Sequence, residues 1–293
     1  MKAIIYFIIS AIFWGLNFHL AKILLSEVNF IEAGFWRYLF GILPLTLLVY
    51  KDMPSLELIL KNLKGISLVG IIGIFGFNLF FFLGMMHTTA INAVLIFSLN
   101  PTLTLLLSNR ILKTPLHWKH IIGIIVSFIG VAYLLAQGNI GNLFTIHFTN
   151  GDILIFIANV FFALHHVWVK KYASAISNSN FTFLTGILCL ACFLLFLPFY
   201  GMEDITTHGI SFWLSVIGIG FFGTSLTYYL WNRAIKLTGA NQAGIFINII
   251  PLSTAIFAVF FGETLYFYHA ISGLLIVLGV FVMKTNMLKT IKI

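Results

Sequence analysis

The feature that most constrains this chain is a succession of apolar runs, each about twenty residues long, separated by short polar connections. A helix needs about 20 such residues to cross the hydrocarbon layer of a bilayer. By that ruler ten spans are expected, at 3–25, 31–50, 65–86, 89–109, 117–136, 151–169, 180–199, 210–232, 239–261 and 266–284. Runs of this length without alternating polarity exclude a β-barrel. With 60% hydrophobic and 8% charged residues, the chain carries more apolar surface than a soluble domain has use for. The expectation is an all-α integral membrane protein. Its first run, "MKAIIYFIISAIFWGLNFHLAKILL", is read as a membrane helix and not as a cleaved signal, because the apolar stretch is too long and lacks a small-residue cleavage site.

Charge sets the expected orientation. The net charge of +8 is spread thinly between apolar runs, which argues for topology signals and against a nucleic-acid surface. If both termini are cytoplasmic, 14 of the 16 Lys and Arg residues fall on that side, leaving only Lys22 and Arg37 near the other face. Such a bias supports an even number of spans. The connection at 137–150, "QGNIGNLFTIHFTN", holds no Lys or Arg and is expected outside. The only two cysteines, Cys189 and Cys192, sit inside an apolar run, so their CxxC spacing reads as membrane helix; no metal site and no cofactor motif is expected.

The chain also echoes itself. "LNPTLTLLL" from Leu99 is answered 150 residues later by "IIPLSTAIF" from Ile249, and the same shift pairs Ala90 with Ala240, Pro101 with Pro251 and Gly123 with Gly273. Five spans per half is an odd number, so the second half would be inverted relative to the first, as in many transporters. The expected organisation is a first repeat at 1–136, an external connection at 137–150, a second repeat at 151–284 and a cytoplasmic tail at 285–293. Proline frees a carbonyl one turn back and permits a bend, so Pro101 and Pro251 are read as matched gating or shaping points.

Several stretches carry a resemblance. "FWGLNFHLAK", "FWRYLFG", "MHTTAINAVLIFSLNPTLTLLL" and "GANQAGIFINIIPLSTAIFAVFFGETLYFYHAISGLLIVLGV" resemble the drug/metabolite transporter superfamily in its ten-helix EamA branch. The final stretch is the most specific, through Pro251, Gly262-Glu263, Gly273 and Gly279. The resemblance implies two EamA repeats, transport of metabolites, and a central cavity lined mainly by the first, third, fourth, sixth, eighth and ninth helices. This chain departs from the family pattern at Lys113, where an acid is usual, and in the sixth span, where the typical Trp is displaced to Trp168 or replaced by Phe162.

Polar groups inside membrane helices tend to face a bundle interior or a cavity. On that ground the expected substrate contacts are Trp14 and Asn17 in the first span, Asn78 in the third and Asn100 in the fourth. His165, His166 and Trp168 in the sixth, Tyr228 in the eighth and Asn248 in the ninth complete the set. All eight acids fall at span ends or in connections, so no mid-membrane carboxylate is expected to shuttle protons. Lys22, Arg37 and Lys170 are read as too few and too close to the membrane faces to hold phosphorylated substrates. Aromatic surface mixed with neutral amides suits a zwitterion. The leading expectation is a monomeric inner-membrane exporter of neutral or aromatic amino acids, with the lipid bilayer and a small-molecule substrate as its partners. The alternatives are a carrier of nucleoside-like or drug-like compounds, and an intramembrane enzyme, for which the histidines lack a partnering acid.

Overall fold

A computed structural model describes residues 2–284 apart from 89, 146, 148, 262, 263 and 265, so Gly262, Glu263 and the 285–293 tail lie outside the described residues. Among these residues every regular element is a helix, and nine helices are long and apolar enough to span a bilayer. They are α1 (Lys2–Leu25), α2 (Phe30–Val49), α3 (Leu63–Met85), α4 (Asn92–Leu112), α5 (Trp118–Leu135), α6 (Asn150–Ala175), α7 (Asn178–Tyr200), α8 (Ile210–Thr238) and α9 (Ala240–Ala258). A tenth, α10 (Phe267–Lys284), has a shorter apolar stretch and packs along α5. The expected spans therefore recur with shifted ends: α6 and α8 run several residues further, and α9 gives way to a 3₁₀ turn at Val259–Phe261.

Local chemistry explains several boundaries. The Asn29 side chain caps α2 by accepting from the Ile31 and Glu32 amides, both at 3.0 Å. Thr149 and Asp152 form a capping box at the start of α6, and Asp152 also accepts from Thr88 and, at 2.9 Å, from Asn92. Glu32 and Asp152 are buried in first turns, where the helix dipole favours a carboxylate, so these acids mark helix starts as their positions implied. Lys113 ends α4 in the left-handed conformation at φ 57°.

The packing has a pattern. The first helix lies against α8 and α9, and α6 lies against α3 and α4; α2 packs on α7, α4 on α9 and α5 on α10. Small residues allow these approaches. A side chain at Gly34 would strike the Phe193 ring at 2.2 Å, and one at Gly15 would meet Ser253.

Two pairs of helices depart from regular α geometry at positions 150 residues apart. Within α3, Leu68–Gly76 is π-helical, and within α8 so is Phe221–Leu226; the two segments end at Gly76 and Leu226. The fourth span breaks after Phe97 and resumes at Asn100, and the ninth breaks at Asn248 between helices Ala240–Ile247 and Ile249–Ala258. Each proline sits in the first turn of the resumed helix, where its missing N–H costs little. A side chain of α6 bonds at the first break: Asn159 donates to Ile96 O at 2.7 Å, which also accepts from the Leu99 amide at 3.1 Å, while the Asn159 oxygen accepts from Asn100 at 2.7 Å.

Candidate functional site

The centre of the bundle is aromatic. Trp14 of α1 packs on Trp231 at 4.6 Å, on Phe162 at 5.2 Å and on Tyr228 at 5.5 Å between ring centroids. Phe77 stacks on Phe162 at 4.6 Å and meets Phe97 edge-on at 5.9 Å. Beside this cluster lies a cavity of about 40 Å³ lined by Trp14, Asn17 and Phe18 of α1, Arg37 of α2, Phe77 and Phe81 of α3, Phe97 of α4, Phe162 of α6 and Ile250 of α9. That volume holds a water molecule and falls far below the several hundred Å³ of an ordinary ligand pocket.

Of the expected substrate contacts, Trp14 and Asn17 line the cavity. Both donate to the same acceptor, the Gly223 carbonyl in the π-helical turn of α8: Trp14 Nε1 at 3.1 Å and Asn17 Nδ2 at 3.5 Å. The others surround it. Asn78 donates to the Tyr38 hydroxyl at 2.9 Å and to Ile74 O at 2.8 Å, cross-bracing α3 and α2. Asn100 pairs with Asn159 and accepts from Thr104 at 3.0 Å. Tyr228 is buried, and its hydroxyl lies beside Tyr38 and Asn78 without a hydrogen bond of ordinary geometry. Asn248, in the α9 break, is buried with both amide atoms unbonded.

The two adjacent histidines are both fully buried and diverge around Phe162. His165 turns toward Tyr228, at 5.5 Å between centroids, with neither ring nitrogen in a hydrogen bond of ordinary geometry. His166 turns toward Trp231 at 5.6 Å and meets Thr104 Oγ1 through Nδ1 at 3.3 Å. Trp168 is half-buried against the core and outside the cavity lining.

Arg37, not among the expected substrate contacts, is 3% exposed and lines the central cavity. It stands seven residues into α2, roughly 10 Å along the axis from its start. Its Nε donates to Thr224 Oγ1 at 3.0 Å and its Nη2 to Gly223 O at 3.2 Å. Gly41 admits this contact between α2 and α8, since a Cβ there would meet Thr224 Cγ2 at 2.7 Å. The available signal was the charge itself: "FWRYLFGILPL" places an ionisable group inside an apolar run, where burial in a bundle is the usual outcome. The phenylalanines of the lining carried no distinguishing signal in a chain with 32 of them.

A multi-span helical bundle with an aromatic-walled cavity at its centre fits a membrane carrier. Residues 1–136 and 149–285 match the EamA-like transporter family, and the chain belongs to that family. It is a secondary transporter of small metabolites, not an enzyme. Its helical spans make it a multi-pass membrane protein. Among its relatives, YyaM of Bacillus subtilis (strain 168), described as an uncharacterized transporter, is 32% identical over 92% of this chain and 89% of its own. A second transporter of that organism, YetK, is 27% identical over 92% of this chain and 82% of its own. A transporter of Methanothermobacter thermautotrophicus is 26% identical over 95% and 85%. A solved crystal structure, 18% identical, shares the fold with a TM-score of 0.78 over 97% of this chain and 98% of the other.

Proposed function

We propose that this transporter exports neutral or aromatic amino acids by alternating access between two inverted five-helix halves, 1–136 and 151–284, joined by an external 137–150 connection, with both termini cytoplasmic. The single observation that carries the substrate reading is the cavity, whose lining combines six aromatic side chains, Trp14 among them, with the polar side chains of Asn17 and Arg37. The rings take an apolar side chain, and the polar heads orient the amino acid's charged end. Trp14 and Asn17 touch the substrate. Asn78, Asn100, His165, His166, Tyr228 and Asn248 form the wall that opens around it, and Pro101 and Pro251 shape the helices that move. The working unit in this reading is a monomer.

Support for the inverted halves lies in the matched departures from α geometry, the two π-helical segments and the two breaks, each pair 150 residues apart. It lies also in the packing, because advancing every helix by five carries the neighbours of α1 onto those of α6. Among the described residues none of the cavity lining is acidic, so flux down the amino acid's own gradient is the simplest coupling. The test is counterflow of labelled neutral and aromatic amino acids in proteoliposomes. Signal with phenylalanine or leucine is expected; accumulation of nucleosides alone would refute the amino-acid reading.

A further inference from the structure

Arg37 is buried at the wall of the cavity and has no anionic partner there. Among the described residues the only ion pair is His208 with Glu27, at 3.0 Å and in another part of the molecule. Arg37 is held instead by two neutral acceptors, Thr224 Oγ1 and Gly223 O. The faces of Tyr38 and Phe82, 5.9 and 6.0 Å from its central carbon, add only weak attraction at that range.

Its anchors are themselves fully engaged. Thr224 Oγ1 accepts from Arg37 while donating to Ile219 O at 3.0 Å, five residues back along the π-helical turn. The Gly223 carbonyl has two lone pairs and is approached by three donors, from Trp14, Asn17 and Arg37. Three donors on one neutral oxygen leave donor capacity in surplus, and they converge at the cavity wall. Gly223 is required for this convergence, since a Cβ there would lie 2.1 Å from Asn17 Oδ1. An unneutralised charge buried in a bundle is costly, and a carboxylate in two-point contact with a guanidinium is the ligand that offsets that cost best.

We propose that Arg37, backed by the π-helical turn of α8, is the anchor for the carboxylate of the transported molecule. The Asn17 amide and the Trp14 indole supply the remaining donors. The class of substrate that follows is a monocarboxylate with an apolar or aromatic tail. One guanidinium matches one carboxylate and leaves a phosphate dianion half-neutralised. No acid among the described lining residues faces the place of an α-ammonium, so the amino group is tolerated and does not decide binding. This rests on the transport reading above but separates from its amino-acid part.

The experiment is ligand-induced thermal stabilisation of the purified full-length protein in detergent with three probes that share one ring: phenylalanine, 3-phenylpropanoate and 2-phenylethylamine. The two carboxylates should raise the midpoint, and the amine should not. Arg37→Gln should weaken both carboxylates by roughly thirtyfold or more, the size expected when one partner of a buried charge pair is removed. Asn17→Asp provides a second arm that does not depend on losing the arginine. Its carboxylate would neutralise Arg37 from within, raising the ligand-free midpoint while abolishing stabilisation by either carboxylate. Stabilisation by 3-phenylpropanoate and not by phenylalanine would leave the anchor in place and remove the amino-acid reading. Equal stabilisation by the amine, none by any probe, or carboxylate binding that survives in both variants would overturn the anchor.

Discussion

Replacing Gly15 by alanine should force α1 away from α9. A Cβ at that position would lie 2.5 Å from Ser253 Oγ, 2.6 Å from Ser253 Cβ and 2.7 Å from the backbone nitrogen of Thr254. A hydroxyl can turn aside, but a backbone nitrogen inside a helix cannot. Contacts to carbon become comfortable at about 3.5 Å, so the helices must part by roughly 0.8 Å. Overpacking of that kind costs about 1–3 kcal/mol. The same seam holds Ser253 Oγ to Ile12 O at 2.9 Å, Thr254 Oγ1 to Gly15 O at 3.3 Å and the His19 ring to Thr254 O at 3.1 Å. Hydrogen bonds between membrane helices average about 0.6 kcal/mol, so stretching two of them adds about 1 kcal/mol. The expected total is about 2–4 kcal/mol, read as reversible unfolding in mixed micelles followed by helical circular dichroism. Gly218→Ala is the control, because its Cβ meets only the mobile end of Leu20, at 3.0 Å, and should cost under about 1 kcal/mol. A Gly15→Ala protein within about 0.5 kcal/mol of the parent would refute the close α1–α9 seam.

Substituting Pro101 or Pro251 with Ala should lower counterflow while leaving the unfolding midpoint level or raised, because each new N–H lets the resumed helix join the one before it and close the break. Parent-level transport in both variants would make the breaks incidental to function. Orientation is checked by cysteine labelling at Asn142 in a background lacking Cys189 and Cys192: an impermeant reagent added outside intact cells should label it, and labelling solely from the cytoplasmic side would reverse the topology.

The residues around the cavity divide by how much of their role is written locally. Trp14 and Asn17 were legible because a helix of known period places positions three apart on one face, and a polar group within an apolar run seeks the interior. Asn100 was legible as an interior residue, yet its commitment to Asn159 depends on α6 lying beside the α4 break, which no local pattern announces. The π-helical turn in α8 is less legible still. Its composition, "FFGTSL", suits an ordinary helix, and what distinguishes it is that Gly223 O and Thr224 Oγ1 are turned toward α1 and α2.

By itself the sequence determined that this chain crosses a membrane many times, roughly where each helix begins and ends, and where its internal echo lies, because the transfer of an apolar segment into lipid is a nearly additive property of consecutive residues. It did not determine which face of each helix looks inward. In a soluble protein the polar face of a helix reports the water side, but here lipid and core are both apolar, so rotation about the axis leaves little trace in the pattern. Arg37 shows the consequence: only the packing of α2 against the open turn of α8 decided that it lies buried at the wall of the central cavity.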